Sequence, residues 1–197
     1  MKRTLTLLLF VLLSTAIFAQ DYKANVKQNF STYYKHIIAG EFDKSMDYLP
    51  SAIFTIIPRA QLVTAFQGLL KNPDTQIKLT SFEIKEIFDR QKIDTSYYVK
   101  MKYLSGMTMK MKSPSTETAT EKETRLNLAK AAFGNIFGSE NISLDLATEI
   151  FTIAPTKTCW AISKNGLTDW KFITVEPNQR LIMEKILPKE IIEESVN

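Results

Sequence analysis

The longest unbroken two-residue alternation in the chain, TSYYVKMKYLSGMTMKMK from Thr95 to Lys112, constrains the fold more than any other stretch. From Tyr97 to Met111 the odd positions read Tyr, Val, Met, Tyr, Ser, Met, Met, Met, while Lys100, Lys102, Lys110 and Lys112 fall on even ones. A pleated strand sends alternate side chains to opposite faces, so this pattern predicts one dry face and one wet, basic face. At about 3.3 Å per residue the run would span roughly 50 Å if straight, which predicts a bend, placed at Ser105-Gly106.

The segments on either side supply partners for such a strand. Residues 76–88 change apolar phase between Ile77/Leu79 and Phe82/Ile84, which predicts a bulge near Thr80-Ser81, and the polar run Asp89–Asp94 predicts the turn of a long antiparallel hairpin. Before it, residues 21–40 place Val26, Phe30, Tyr33, Tyr34, Ile37 and Ile38 on one helical stripe between Asp21 and Gly40. A short helix over Phe42–Leu49 follows. Residues 52–57 read as a short strand or a connector, and a helix runs from Pro58 to the breaker Asn72-Pro73. After the Ser/Thr-rich surface linker Ser113–Thr120 come a helix over 121–137 ended by Gly138, strand material over 142–146 and 148–154, read as two strands or as one with a turn near Ala147, a further strand over 157–163, and an Asn165-Gly166 hairpin turn. Residues 170–175 then return as a strand, and one or two short helices broken at Pro188 close the chain.

Residues 1–19 are read apart from the rest. Lys2-Arg3 precede an apolar run from Leu5 to Leu13, and Ala19 precedes Gln20, the pattern of a secretory signal peptide cleaved after Ala19. The expectation is export to the periplasm or the medium, with residues 20–197 forming one domain with a C-terminal helical extension and no integral membrane segment. Loss of Lys2 and Arg3 lowers the net charge from +4 to +2, too small an excess to indicate nucleic acid. Cys159 is the single cysteine, so no internal disulfide can form; the alternation in KTCWAIS sets it beside Ala161 and opposite Trp160 and Ile162, as a buried thiol.

Few residues carry a chemical signature. His36 is the only histidine, which removes paired-histidine metal centres and relays. Glu117, Glu121 and Glu123 form an acidic cluster without the spacing of a calcium loop, and no phosphate loop, nucleophile elbow or Cys-x-x-Cys is present. No cofactor is implied. The lysines of the long strand read as solubilising charge or as a site for phosphate or an anionic partner, and Tyr97, Met101, Tyr103, Met107, Met109 and Met111 as core or as the lining of a cavity.

The opening FSTYYKHIIAGEFDKSMDYLP and the closing WAISKNGLTDWKFITV resemble exported members of the NTF2-like (cystatin-like, SnoaL-like) superfamily over roughly residues 21–175. The resemblance implies an α+β cone, with N-terminal helices packed on a strongly curved antiparallel sheet, an inserted helix and short C-terminal helices. It also implies a pocket with candidates Tyr33, Tyr34, His36, Tyr97, Met101, Tyr103, Trp160 and Trp170. In isomerases of that superfamily a tyrosine lies seven positions before the helix-ending glycine, as Tyr33 does before Gly40. The required carboxylate would fall in FTIIP, where Ile56 and Ile57 cannot take a proton, which argues against the isomerase reaction. The functional expectation is therefore a non-catalytic domain binding a small apolar or amphipathic molecule or a protein. The alternatives are an isomerase, cyclase or dehydratase using a tyrosine or His36, and a pure interaction module. A homodimer through the open sheet face is a further expectation.

Overall fold

The structure, a computed structural model, describes residues 22–176 and 179–196; the leader assigned to residues 1–19 lies outside them. Helix α1 occupies residues 22–38 and is ended by Gly40, whose φ of 71° is the left-handed conformation glycine adopts without a Cβ clash. Then follow α2 (Phe42–Ser45), a 3-10 turn (Met46–Tyr48), α3 (Ile53–Ile56) and α4 (Arg59–Leu70). The segment 52–57 is thus one helical turn rather than a strand, and Pro58 caps α4 from outside.

The long alternating stretch becomes β2 (Ser96–Met111), paired along its length with β1 (Thr75–Ile93). The expected bulge is present as a register shift between Leu79 and Ser81. Two more occur between Ile84 and Glu86 and between Ile87 and Arg90, all on β1, so β2 itself remains unbroken. The hairpin turn is tighter than the expected Asp89–Asp94, because β1 continues to Ile93 and Asp94 takes the left-handed φ of 52°. Gly106 marks the close approach of the two strands rather than a break: a Cβ there would meet the Ser81 hydroxyl, with Thr80 Oγ1 3.2 Å away.

The other edge of β2 is shared. Residues 97–104 pair with β5 (Thr156–Ser163), which pairs in turn with β6 (Lys171–Thr174). Residues 107–109 pair with β4 (Ile150–Ile153), which pairs with β3 (Ile142–Asp145). At the junction the Ser105 N–H donates to the Pro155 carbonyl at 3.0 Å. Helix α5 (Ala119–Phe137) precedes β3, and α6 (Arg180–Met183) and α7 (Lys189–Val196) close the chain.

Three apolar clusters hold the layers together. The odd-numbered face of β2 receives α1: Tyr22, Val26, Phe30 and Tyr34 pack on Val99, Met101, Tyr103, Cys159, Ala161, Trp170 and Phe172. Farther along the strand, α5 brings Leu126 onto Ile142, Phe151 and Ile153, with Phe133 edge-on to Phe151 at 5.1 Å and Met107, Met109 and Met111 packed alongside. The opposite face, expected to be wet throughout, is covered at its start. Tyr98, Trp160 and Ile173 lie under Met183, Leu187, Ile191 and Ile192, and Lys100 pairs with Glu194 at 3.4 Å.

This architecture corrects the expected superfamily. The fold is α+β with a six-stranded sheet that is open and not strongly curled, so the NTF2-like, SnoaL-like or cystatin-like cone is absent, and with it the binding function assigned to such a cone. The physical reason lies in β2. It runs as one continuous strand through Ser105-Gly106 and changes partner there from β5 to β4. The side that a cone would leave hollow is filled by the aromatic stripe of α1.

Phe30 is the centre of that filling, fully buried, with ring centroids at 4.8 Å from Tyr103 and 5.2 Å from Phe172. Phe30→Ala should lower the unfolding free energy by about 3–5 kcal/mol in urea titration, the range for a large buried aromatic; a loss below about 1 kcal/mol would show that α1 is not the organising contact.

Candidate functional site

The eight sequence-derived candidates separate into several environments. Tyr33, Tyr34, Tyr97, Met101, Tyr103 and Trp170 belong to the α1 cluster, whereas Trp160 lies on the other side of the sheet and donates from Nε1 to Ser195 Oγ at 2.8 Å. Within the cluster three polar ends are matched: the Tyr34 hydroxyl shares a hydrogen bond with Ser105, the Tyr103 hydroxyl lies 3.1 Å from Thr174 Oγ1, and Trp170 Nε1 donates to the Leu167 carbonyl at 3.1 Å. Tyr33 stacks on Phe172 at 5.8 Å, and burial pushes its hydroxyl and that of Tyr103 above the ordinary tyrosine range. His36 sits at the end of α1, its Nδ1 2.6 Å from Glu41 Oε2, while Lys44 takes the other carboxylate oxygen at 2.7 Å.

Cys159 is fully buried as expected, and burial pushes its thiol up to about 12. The thiol is therefore protonated and inert at neutral pH.

The acidic cluster is ordered by cations. Arg125 makes a bidentate contact with Glu117 at 2.6 and 3.0 Å, and Glu149 accepts from Ser113 Oγ at 2.5 Å while pairing with Lys122 at 2.9 Å and Arg125 at 3.2 Å. Glu121 closes a capping box with Thr118 at the start of α5. Among the described residues no group of three or more His, Cys, Asp or Glu is placed to hold a metal ion.

A different set of residues forms a groove of about 500 Å³ beside the start of β2. One wall is the turn from Met46 through Leu49, Pro50, Ser51 and Ala52, with Phe54 from α3 and Arg59 from α4. The facing wall is Ser163, Lys164, Asp169 and Lys171. Tyr98, Ile162 and Ile186 line the interior with Ser96. Its apolar lining follows from strand alternation: Tyr98 and Ile162 are cross-strand partners projecting from the same face of β2 and β5.

The facing wall owes its shape to the segment 164–170. The expected two-residue Asn-Gly hairpin opens into a longer loop, because the Asn165 side chain accepts from Leu167 N at 2.8 Å and Thr168 N at 2.9 Å. Gly166, at φ 70°, lies against the Tyr97 ring, where a Cβ would come within 2.6 Å of Tyr97 Cγ. The loop ends at Asp169, a non-glycine residue at φ 55° on the rim.

The charges around the groove are arranged unequally. Arg59 is shared by Asp43 at 3.1 Å and Asp47 at 2.7 Å, and the Lys171 ammonium lies 2.8 Å from Asp169 Oδ1 and 2.9 Å from the Asp47 carbonyl. Lys164 Nζ donates to Ser96 Oγ at 3.0 Å and makes no ion pair with a carboxylate among the described residues. The lining thus holds three cations, two carboxylates and an apolar floor, an arrangement suited to an anionic group with a hydrocarbon or aromatic body.

None of the eight sequence candidates lines this groove. Sequence reasoning missed Tyr98, Ile162, Lys164 and Lys171 because they come together only through the pairing of β2, β5 and β6. The available signal was Tyr98, a large aromatic residue beside Lys100 and Lys102 on the even-numbered face. Compared with protein-family models, curated proteins and solved structures, the chain matches none.

The clasp around Glu149 gives a pH prediction. Its serine and lysine partners hold the carboxyl down at about 2, against 4.5 for an ordinary glutamate. A depressed carboxyl stabilises the fold above about 4.5, and that contribution is lost as pH falls toward 2. The thermal midpoint should fall across this window, and fall less in Glu149→Gln; equal slopes in the two proteins would show that the clasp does not contribute.

Proposed function

We propose that this chain is a binding protein for a small amphipathic anion, held in the surface groove between the Met46–Phe54 turn and the Lys164–Lys171 segment. The observation that carries the reading is the Lys164 ammonium, held by a serine hydroxyl without a carboxylate partner among the described residues, at the rim of an apolar-floored groove. A carboxylate, sulfate or phosphate headgroup meets Lys164 and Lys171, and its body lies on Tyr98, Ile162 and Ile186. Asp47 and Asp169 are already bonded to cations and serve to position them. The groove lies at one end of the sheet, away from the filled interior beneath α1. The signal-peptide pattern of residues 1–19 supports export of this binding protein.

Calorimetric titration with decanoate, which couples one carboxylate to a ten-carbon tail, tests the assignment. The native protein should bind decanoate and bind decanol more weakly. Lys164→Ala should weaken decanoate by about tenfold, as loss of one charge-assisted contact does, and leave decanol unchanged. Absence of decanoate binding, or equal affinity in the Lys164→Ala protein, would overturn the proposal.

A further inference from the structure

Helix α4 is the one long described helix with no buried residue, although its sequence RAQLVTAFQGLL repeats large apolar side chains at 62, 63, 66, 69 and 70. That is the i, i+1, i+4, i+7, i+8 spacing of a helix with an apolar face to cover. Its attachment to the body is limited: Phe66 stacks on Phe42 at 5.6 Å, and Arg59 is tied to Asp43 and Asp47. Phe66 nevertheless keeps 37% of its surface exposed and Leu69 keeps 53%. No charged residue stands between Arg59 and Lys71, and no Asp or Glu occurs anywhere from Tyr48 to Pro73.

We infer that a second copy of this chain covers α4, in an antiparallel two-fold pairing of one α4 with the other. The charges at the helix ends select this occupant. At the N-terminal end Arg59 with Asp43 and Asp47 leaves one net negative charge. At the C-terminal end Lys71 is exposed and forms no ion pair among the described residues, while Asp74 already has Lys112 at 3.9 Å. A parallel pair would set like ends together. An antiparallel pair with Leu69 of each copy over Ala65 of the other brings each Lys71 within about one helical turn of the other copy's acidic end. Gly68 faces open space, a Cβ there meeting nothing within 4 Å, and its lack of a side chain leaves room for a facing helix.

The two-fold contact is isologous, so each favourable charge pair occurs twice. An anionic membrane is a poorer match, because the acidic end of α4 would face the lipid headgroups. The open part of the sheet, where a second copy was expected from the sequence, carries a rung of Lys78, Thr108, Thr152 and Ser143 across four strands, which is polar. A helix of 12 residues is about 18 Å long, which places the contact among the small, concentration-dependent interfaces.

Sedimentation velocity of the purified protein over about 10–1000 µM tests the inference, a range that brackets dissociation constants of weak interfaces. The native protein should pass from monomer toward dimer, and Leu69→Glu, a change at an outward side chain, should raise the dissociation constant at least tenfold. Lys71→Glu and Asp43→Lys should each weaken the dimer alone and restore it when mixed, because only the mixed pair has opposite charges at both ends. A monomer at every concentration, a dimer indifferent to Leu69→Glu, or no restoration on mixing would overturn it. So would a solution monomer that binds phosphatidylglycerol vesicles through Leu69, which would assign the face to lipid.

Discussion

The fold depends on the packing of α1 against the odd-numbered face of β2. Phe30 touches aromatic rings from the helix itself, from β1, from β2 and from β6, so a single side chain joins the first helix to both strands of the long hairpin and to the distant β6. Aromatic pairs of this kind add about 0.5–1.5 kcal/mol beyond the area they bury. Because Tyr34 and Tyr103 bring hydroxyls into that packing, each needs a partner. Ser105 and Thr174 supply them, which turns an apolar contact into one with a defined register.

The same packing decides what the chain cannot be. A ligand cone requires a hollow beneath the first helix, and here that volume is occupied by Phe30, Met101, Tyr103 and Phe172. Halfway along its length β2 exchanges one neighbour for another. Its two halves therefore acquire different covers: α1 and the C-terminal helices at one end, α5 at the other. A groove lies at the margin, where the chain leaves α2 and the β5–β6 loop rises opposite it.

Much of this was legible in local signals. The bulge at Leu79/Ser81 was visible as a phase change, Gly40 and Gly138 as helix ends, and the buried Cys159 as one side of an alternation; each depends on neighbours within a few residues. The sheet's overall shape was not legible in this way. Whether a long strand bends or changes partners is settled by strand pairing among residues 97–109, 150–153 and 156–163. The groove was hidden for a related reason. Asp47, Tyr98, Lys164 and Lys171 have no common spacing, and all three lysines and arginines of the rim look like ordinary surface charge until their partners are placed. His36 and the aromatic residues drew attention by chemistry alone, and the structure gives them clasps and packing.

The most direct test of a groove-binding protein with a filled interior is a backbone amide chemical-shift map recorded during titration with decanoate. The account predicts shifts concentrated at Ser96, Tyr98, Ile162–Lys164 and Asp169–Lys171, with the amides around Phe30, Met101 and Tyr103 unmoved. Shifts centred on α1 and the odd-numbered face of β2 would contradict it, since they would mean that the interior opens to admit the ligand.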